Sequence, residues 1–503
     1  MKKNSSTVNL RERVKSPPSQ SLVDAYYEPS VTSAIRYQFS HEMRIHLAHS
    51  LMLEKCKIVP KKDILKIINA ILKLQKNGPS ELEINYKQED LYSYVETYLI
   101  KILGPDIGGK LHTARSRNDL NITSWRLALR DELIFLLNRL NDFRETIINS
   151  SELYSETIMP GYTHSQHAQP ITFGYYLLSL YDIITRDYLR IKAALKNTNC
   201  SPLGAGALCT TGFNIDRDLT KKLLGFDALL EIAYDGVSSR DDLHEAVSSL
   251  TVLMTNLSRF AFDLQSWNTM EFGMIELADE FSSVSSIMPQ KKNPQALEYV
   301  KSATGYVTGA LITVLSCSKN TSLSDVNDGV TAINVPAMEA CKRTYNSLSV
   351  LTGVVKTLKI NSTRMKYLAE IGFGSATELA DVIVRESGIS FRLAHNIVGL
   401  VVREAILKNK TALSITASDI NNAALLLFNK KIKIEKKVIQ NALNPEKNIK
   451  LRKVVGGPAN VKTMAIKRKK FLHSDIKENN KLEKKIEESN KNLQLLSINI
   501  LKK

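Results

Sequence analysis

The sequence predicts a mainly α protein. Apolar residues recur at three- and four-residue spacing through 62–75, 120–150, 172–196, 240–270, 295–315 and 335–358, which is the repeat of one helix face. Strand-type alternation bounded by hairpin turn signals is scarce. The stretch Ile171–Leu195, with Tyr175, Tyr176, Leu177, Leu178 and Leu180, is apolar around most of its circumference. Such a helix is expected inside a large bundle or between subunits. At 503 residues and 43% hydrophobic, the chain can bury a large core and should form more than one lobe.

Taken in order, the first twenty residues (MKKNSSTVNLRERVKSPPSQ) are polar and basic and lack the apolar stretch of a secretory signal. They read as a disordered basic arm. A first helical lobe follows to about Gly109. Gly108-Gly109-Lys110 lacks the spacing of a phosphate loop. Arg115, Ser116, Arg117, Asn118 and Asp119 then place two arginines around a serine and before an amide. That set can bind a dicarboxylate through charge-assisted hydrogen bonds. It equally fits a capping and salt-bridge cluster at the start of the next helix. Thr163 and His164 follow Pro160-Gly161. A histidine exchanges protons near neutral pH, although a lone one is more often structural.

Ser285-Ser286-Ile287-Met288-Pro289-Gln290-Lys291-Lys292-Asn293-Pro294 lies between segments that both read as helix. An ordinary loop carries Gly, Asp or Ser for its turn and has less reason to combine paired hydroxyls, an ammonium and a carboxamide. The grouping suits proton abstraction from carbon beside a carboxylate: a hydroxyl base, then cationic and amide groups for the developing charge. Towards the C-terminus, Gly456-Gly457-Pro458 interrupts the pattern before a final charged helix, roughly Lys477–Ile500. Its stripe of Leu482, Ile486, Leu493 and Leu496 fits a core or subunit contact rather than a membrane surface. No internal repeat is visible.

Composition narrows the function classes. No apolar run approaches the length that crosses a bilayer. The five cysteines (Cys56, Cys200, Cys209, Cys317, Cys341) are scattered without metal spacing, which fits reduced thiols in a cytoplasmic protein. The net charge of +17 is concentrated at the ends: residues 466–503 hold about eleven Lys/Arg against five acids. No RNA-binding signature, zinc-finger spacing or aromatic-interleaved basic strand accompanies it, so an anion-attracting field is the milder reading and a nucleic-acid partner is not expected. No metal, flavin, nicotinamide or pyridoxal motif is present, so no cofactor is expected.

Three strings carry a family resemblance: GGKLHTARSRND (108–119), MPGYTHSQHAQPITFG (159–174) and SSIMPQKKNP (285–294). They are similar, in order and at family-like separations, to the shared regions of the fumarase/aspartase superfamily, and the last resembles the argininosuccinate lyase branch. SPLGAGAL (201–208) extends the likeness, which fades over the first fifty residues. The resemblance implies a three-domain fumarase/aspartase-like fold whose long central helices form a multi-subunit bundle, here a homotetramer with shared active sites. The expected divisions are an arm at 1–20, an N-terminal helical domain at 21–109, a central long-helix domain at 110–360 with its catalytic loop at 282–294, and a C-terminal helical domain at 361–503.

The resemblance also implies the site. Ser116, Arg117, Asn118 and Thr163 look like ligands of substrate carboxylates. His164 looks like the proton donor to the leaving amine, with Glu298 behind it to favour its protonated form. Ser285 is the expected general base, Lys291 and Asn293 the stabilisers of the resulting aci-carboxylate, and Gln290 an orienting group. His167 and His112 are expected to be structural or supporting. The implied reaction is cofactor-independent release of fumarate from an N-(1,2-dicarboxyethyl) amine, foremost argininosuccinate giving arginine.

Departures keep other readings open. Val284 stands where the superfamily usually has Gly. The branch typically holds the arginine portion with the Tyr, Gln and Lys of a YNKDLQEDK-like segment. Counted from the serine loop, those places hold Asp325, Val330 and Ile333. A WGGRF-like opening is missing, and a DxxGSxAH-like segment has become Glu42…Ile45-His46-Leu47-Ala48-His49. Leaving polar substrate atoms unpaired costs about 1–3 kcal/mol each. The alternatives are therefore an enzyme acting on another N-succinyl amine, as ethylenediamine-disuccinate lyases do, or a catalytically silent structural homologue. A basic binding protein and a C–O lyase such as fumarase are further rivals; the QKKNP rather than GKVNP form of the loop disfavours the last.

Overall fold

The computed structural model describes residues 13, 14 and 16–502. Most of the expected basic arm, residues 1–12 and Lys15, lies outside the described residues, as does Lys503. The rest is predominantly helical, with short two-stranded pairings. The periodic segments form the helices Lys61–Asn77, Arg117–Leu153, Phe173–Thr198, Asp241–Trp267, Gln295–Ser318 and Asn327–Thr357. The last begins eight residues before the expected start and runs through Pro336. An interior proline removes one helical hydrogen bond and crowds the carbonyl four residues earlier; the helix continues through it with Ile333, Ala337 and Ala340 fully buried.

Five of these helices, from Arg117–Leu153 onward, pack side by side and share one core. Leu133, Phe143, Leu177, Ile184, Ile191, Leu250, Val300 and Leu348 are all fully buried in it. A second core joins helices Phe39–Lys55, Lys61–Asn77 and Leu91–Leu103 to the start of the Arg117 helix. A third lies among the helices between Ala376 and Leu443. Among the described residues, no helix is long and apolar enough to cross a membrane.

Two features differ from the sequence reading. The final helix starts at Val461, not near Lys477, and reaches Lys502. It lies along the Arg117–Leu153 helix, with Leu472 and Ile486 in the central core and Leu493 in the N-terminal one. Its first turns are rich in lysine and arginine, which masks the apolar positions Val461, Ala465 and Leu472 that pack inward. Arg144, fully buried, ties the two helices together. It donates to Asp475 at 2.8 Å, to Asn141 at 2.9 Å and to the Tyr181 hydroxyl at 3.3 Å, and stacks over Tyr188.

The second difference is the antiparallel hairpin formed by Ile158–Thr163 and Gln166–Thr172. Thr163 pairs with Gln166, which leaves His164 and Ser165 as a two-residue turn. Tight hairpins usually announce themselves by Asn-Gly or a similar pair. This one does not, so its strands were not legible.

Candidate functional site

The first candidate segment is built on the N-terminus of the Arg117–Leu153 helix. Ser116 is its N-cap: its Oγ accepts the Asn118 N–H at 3.3 Å, and Asp119 Oδ1 accepts the Ser116 N–H at 3.1 Å, a reciprocal capping box. Both sequence readings of this segment therefore share the same residues. The Asp119 carboxylate also accepts the backbone N–H groups of Gly204 and Gly206, at 2.9 and 3.0 Å. Burial pushes its carboxyl up to about 6, against those hydrogen bonds. The glycine loop of SPLGAGAL is thereby fastened beside Ser116 and Asn118, whose side-chain amide donates to the Ala207 carbonyl at 3.4 Å.

Arg117 points into a cavity of about 280 Å³, at the lower edge of small-molecule sites. There it pairs with Glu89 at 3.0 Å and Asp90 at 2.9 Å. Tyr26, Tyr27, Glu42, Trp125 and Asp325 line the same space. Behind it, Arg115 is buried, donates to His46 Nδ1 at 3.0 Å and stacks over Tyr92. His112 also stacks on the Tyr92 ring, with centroids 5.1 Å apart, and burial lowers its imidazole to about 4. Arg115 and His112 thus support the cavity from behind.

The second segment is the hairpin turn. His164 and Ser165 have φ of 52° and 58°, the left-handed region at both central positions of a primed turn. Neither is Gly or Asn, so each holds roughly 1–2 kcal/mol of conformational strain. Strained backbone of this kind concentrates at functional sites. The turn projects His164 and Thr163 into the open, both exposed. His167 instead packs inward, edge-on to Tyr162, against Gly372. A Cβ at 372 would lie 1.9 Å from its Nδ1, so glycine there is what admits the ring.

The third segment is also a hairpin tip, not a loop between two helices. Ser283–Val284 pair antiparallel with Lys292–Asn293, and 285–291 form the turn between them. Ser285 Oγ accepts backbone N–H groups from Ile287 at 3.3 Å and Met288 at 3.0 Å. Two such donors lower the cost of a negative charge on that oxygen. Lys292 is held by Glu276 and Asp279, at 2.8 and 2.6 Å, which keep its ammonium charged beyond its usual range. Lys291 is exposed, as are Gln290 and Glu298. The Asn293 amide reaches Ser283 Oγ at 3.5 Å.

Among the described residues no hydrogen bond or ion pair joins these three segments, and none joins His164 to Glu298, within one chain. Of the places read as rewritten, Asp325 lines the cavity, while Ile333 is fully buried in the central core and faces no substrate. The side chain of Val330 lies outside the described residues. Sequence reasoning assigned no role to Tyr26, Trp125, Glu89 or Asp90. The acidic pair before a helix start was the available signal, because Asp90 also caps the Leu91–Leu103 helix.

Residues 20–309 match the family described as Lyase, and residues 373–450 match the family described as Argininosuccinate lyase C-terminal. The chain is 40% identical to argininosuccinate lyase of Methanococcus aeolicus, over 91% of this chain and 92% of that protein. It is 42% identical to argininosuccinate lyase of Methanocaldococcus jannaschii, over 84% and 85% respectively. Among solved structures it is similar to EDDS lyase in complex with formate, with a TM-score of 0.87 and 29% identity over 97% of each chain. Class II fumarase from Schistosoma mansoni, at 16% identity and a TM-score of 0.67 over 82% of this chain and 90% of that one, shares the fold.

Proposed function

The chain belongs to the argininosuccinate lyase family of the fumarase/aspartase superfamily, and from that premise we propose how this carbon–nitrogen lyase cleaves argininosuccinate to arginine and fumarate. Ser285 takes the proton from the carbon between the scissile C–N bond and a carboxylate. The electron pair passes into that carboxyl group, giving an aci-carboxylate held by Lys291 and Asn293. That pair then returns to form the C=C bond of fumarate as the C–N bond breaks; the C–N electrons leave with the guanidino nitrogen, which receives a proton from His164, directly or through water. Glu298 supports the protonated imidazole, and Gln290 orients the turn. Ser116, Arg117, Asn118 and Thr163 hold the dicarboxylate, which competes with Glu89 and Asp90 for Arg117.

The observation that carries this reading is the pair of backbone N–H groups aimed at Ser285 Oγ in a turn that also bears Lys291. A serine hydroxyl is too weak a base without such stabilisation. Incubating the purified protein with argininosuccinate, ethylenediamine-disuccinate and N-succinyl amino acids, and following fumarate by ultraviolet absorbance, tests it. Fastest release from argininosuccinate is expected. The EDDS-type alternative has weaker support, since that likeness stands at 29% identity against about 40% for the argininosuccinate lyases. Absence of fumarate from every substrate would sink the lyase reading in favour of a silent homologue.

The separation of the three segments within one chain supports a homotetramer with shared sites. So do the exposed apolar side chains on the long helices, among them Phe135, Leu189, Phe262, Ile312 and Leu315. Mixing Ser285→Ala protein with His164→Asn protein, each inactive alone, is expected to restore part of the activity after subunit exchange. No recovery once exchange is verified would mean that each chain builds its own site. Cytoplasmic location belongs to the same reading and fits the five unbridged cysteines.

A further inference from the structure

The hairpin that carries Ser285 and Lys291 has little to hold it in place by itself. Its ladder is two residues long on each side, and an isolated pair of strands is marginally stable in water. Val284 and Ile287 are 85% and 83% exposed, so these tip side chains are not seated by burial within this chain. The fastenings lie at the base. On one side, Phe281 packs onto Gly353 of the Asn327–Thr357 helix, where a Cβ would lie 2.2 Å from the ring's Cζ. On the other, Lys292 Nζ pairs with Glu276 at 2.8 Å and with Asp279 at 2.6 Å. Glu276 is itself fixed: Ile275–Glu276 pairs with Lys359–Ile360, and Lys359 Nζ lies 3.3 Å from the same carboxylate oxygen. Lys292 first, and then Lys359, hold the Glu276 and Asp279 carboxyls below their usual range. A single exposed ion pair contributes little. Here the charges alternate in a network, and Glu276, already ordered by Lys359, has less side-chain freedom to lose on meeting Lys292.

We propose that Lys292 is a positioning residue, whose ion pairs with Glu276 and Asp279 fasten the Lys292–Asn293 strand and thereby set where Lys291 and Asn293 meet the substrate. The proposal rests on the lyase reading for what those two groups do there. Both are immediate chain neighbours of Lys292, so a shift of its backbone carries them with it. Groups that stabilise charge developing in a transition state lose their effect steeply on displacement. The two adjacent lysines thus divide the work. The Lys292 ammonium is occupied by two carboxylates. Among the described residues Lys291 has no ion pair and stays available to the substrate.

The test compares, in the full-length protein, Lys292→Met, Lys292→Arg, the double variant Glu276→Gln with Asp279→Asn, and that double variant combined with Lys292→Met. Fumarate absorbance gives kcat and KM for argininosuccinate, and hydrogen exchange over residues 281–294, without substrate, reports how firmly the hairpin is held. Lys292→Met is expected to lower kcat roughly tenfold to a hundredfold, with KM within about threefold, and to speed exchange over that segment. The carboxylate double variant should reproduce both effects, although it leaves the ammonium in place. Adding Lys292→Met to it should lower kcat little further, because the pairs are already gone. Lys292→Arg should recover most of the loss, since a guanidinium can serve both carboxylates.

A normal kcat in Lys292→Met or in the carboxylate double variant would overturn the proposal. So would losses that multiply in the combined variant, which would mean that Lys292 works on the substrate itself. The outcomes for the two readings differ. A wild type that releases no fumarate, with exchange still faster in Lys292→Met and in the carboxylate variant, would sink the lyase reading alone. Fumarate release with exchange indifferent to every substitution would sink this one alone.

Discussion

Ser285→Ala is expected to lower kcat for fumarate release by about a thousandfold or more, the range for a general base whose conjugate acid site is removed. The residue sits in a turn tip where Ile287 and Met288 aim their N–H groups at Oγ, and removing that oxygen leaves both donors to solvent. The turn is closed independently by pairing of Ser283 with Asn293 and of Val284 with Lys292, so the loop geometry should survive. Substrate binding is therefore expected to change little, because the proposed carboxylate ligands Ser116, Arg117, Asn118 and Thr163 lie on other segments. Steady-state absorbance gives kcat, and calorimetry on the inactive variant gives binding. A kcat within a few-fold of wild type would remove Ser285 from the role of base. A loss of binding equal to the loss of kcat/KM would make it a ligand instead.

Asp475→Ala is the largest expected stability change. Arg144 is fully buried, and Asp475 is the carboxylate with which it pairs, at 2.8 Å. Removing one partner of such a pair strands the other, at about 3–5 kcal/mol. Arg144 keeps Asn141 and the Tyr181 hydroxyl as neutral acceptors, which sets the loss nearer the lower end. The double replacement Arg144→Met with Asp475→Leu should lie closer to wild type than Asp475→Ala, because no charge is then left unpaired. Denaturant unfolding at one fixed protein concentration measures both, concentration being held constant because assembly would contribute to apparent stability. A double variant less stable than Asp475→Ala would show that the pair is worth more than its desolvation costs.

Local information carried most of the fold. The helices between Lys61 and Thr357 follow a 3.6-residue apolar repeat, which depends on neighbours within a turn or two and so is readable from the chain alone. The Ser116–Asp119 cap is equally local, because its hydrogen bonds span three residues. The reactive groups could be nominated from residue types: a serine pair with Lys291 and Asn293, a histidine after Pro-Gly, and arginines flanking a serine. Their order along the chain identified the family, which the comparisons bear out.

What the repeat could not express is where a helix spends its apolar face. The final helix has a low density of apolar residues in its first turns. It is seated by contacts distant in sequence: Leu472 and Ile486 enter the central core, and Arg144, 331 residues before Asp475, is buried against it. The His164–Ser165 turn likewise has no turn-forming letters, and its left-handed backbone is imposed by the strands pairing on either side. Pairing energy accumulated over a hairpin can hold a strained turn that its own two residues would reject.

The amino-acid sequence by itself determined the helical class and the family, and it nominated the chemical groups of the proposed site, because periodicity and residue type are properties of short stretches. Only the tertiary structure decided which carboxylates keep a partner. Glu42, Glu89 and Asp90 are all carboxylates, yet two pair with Arg117 while the third lies on a buried cavity wall with its Oε2 lacking a hydrogen-bond partner. The reason is desolvation: the free energy of a charge depends on what surrounds it in three dimensions, and residues far apart in the chain supply those surroundings.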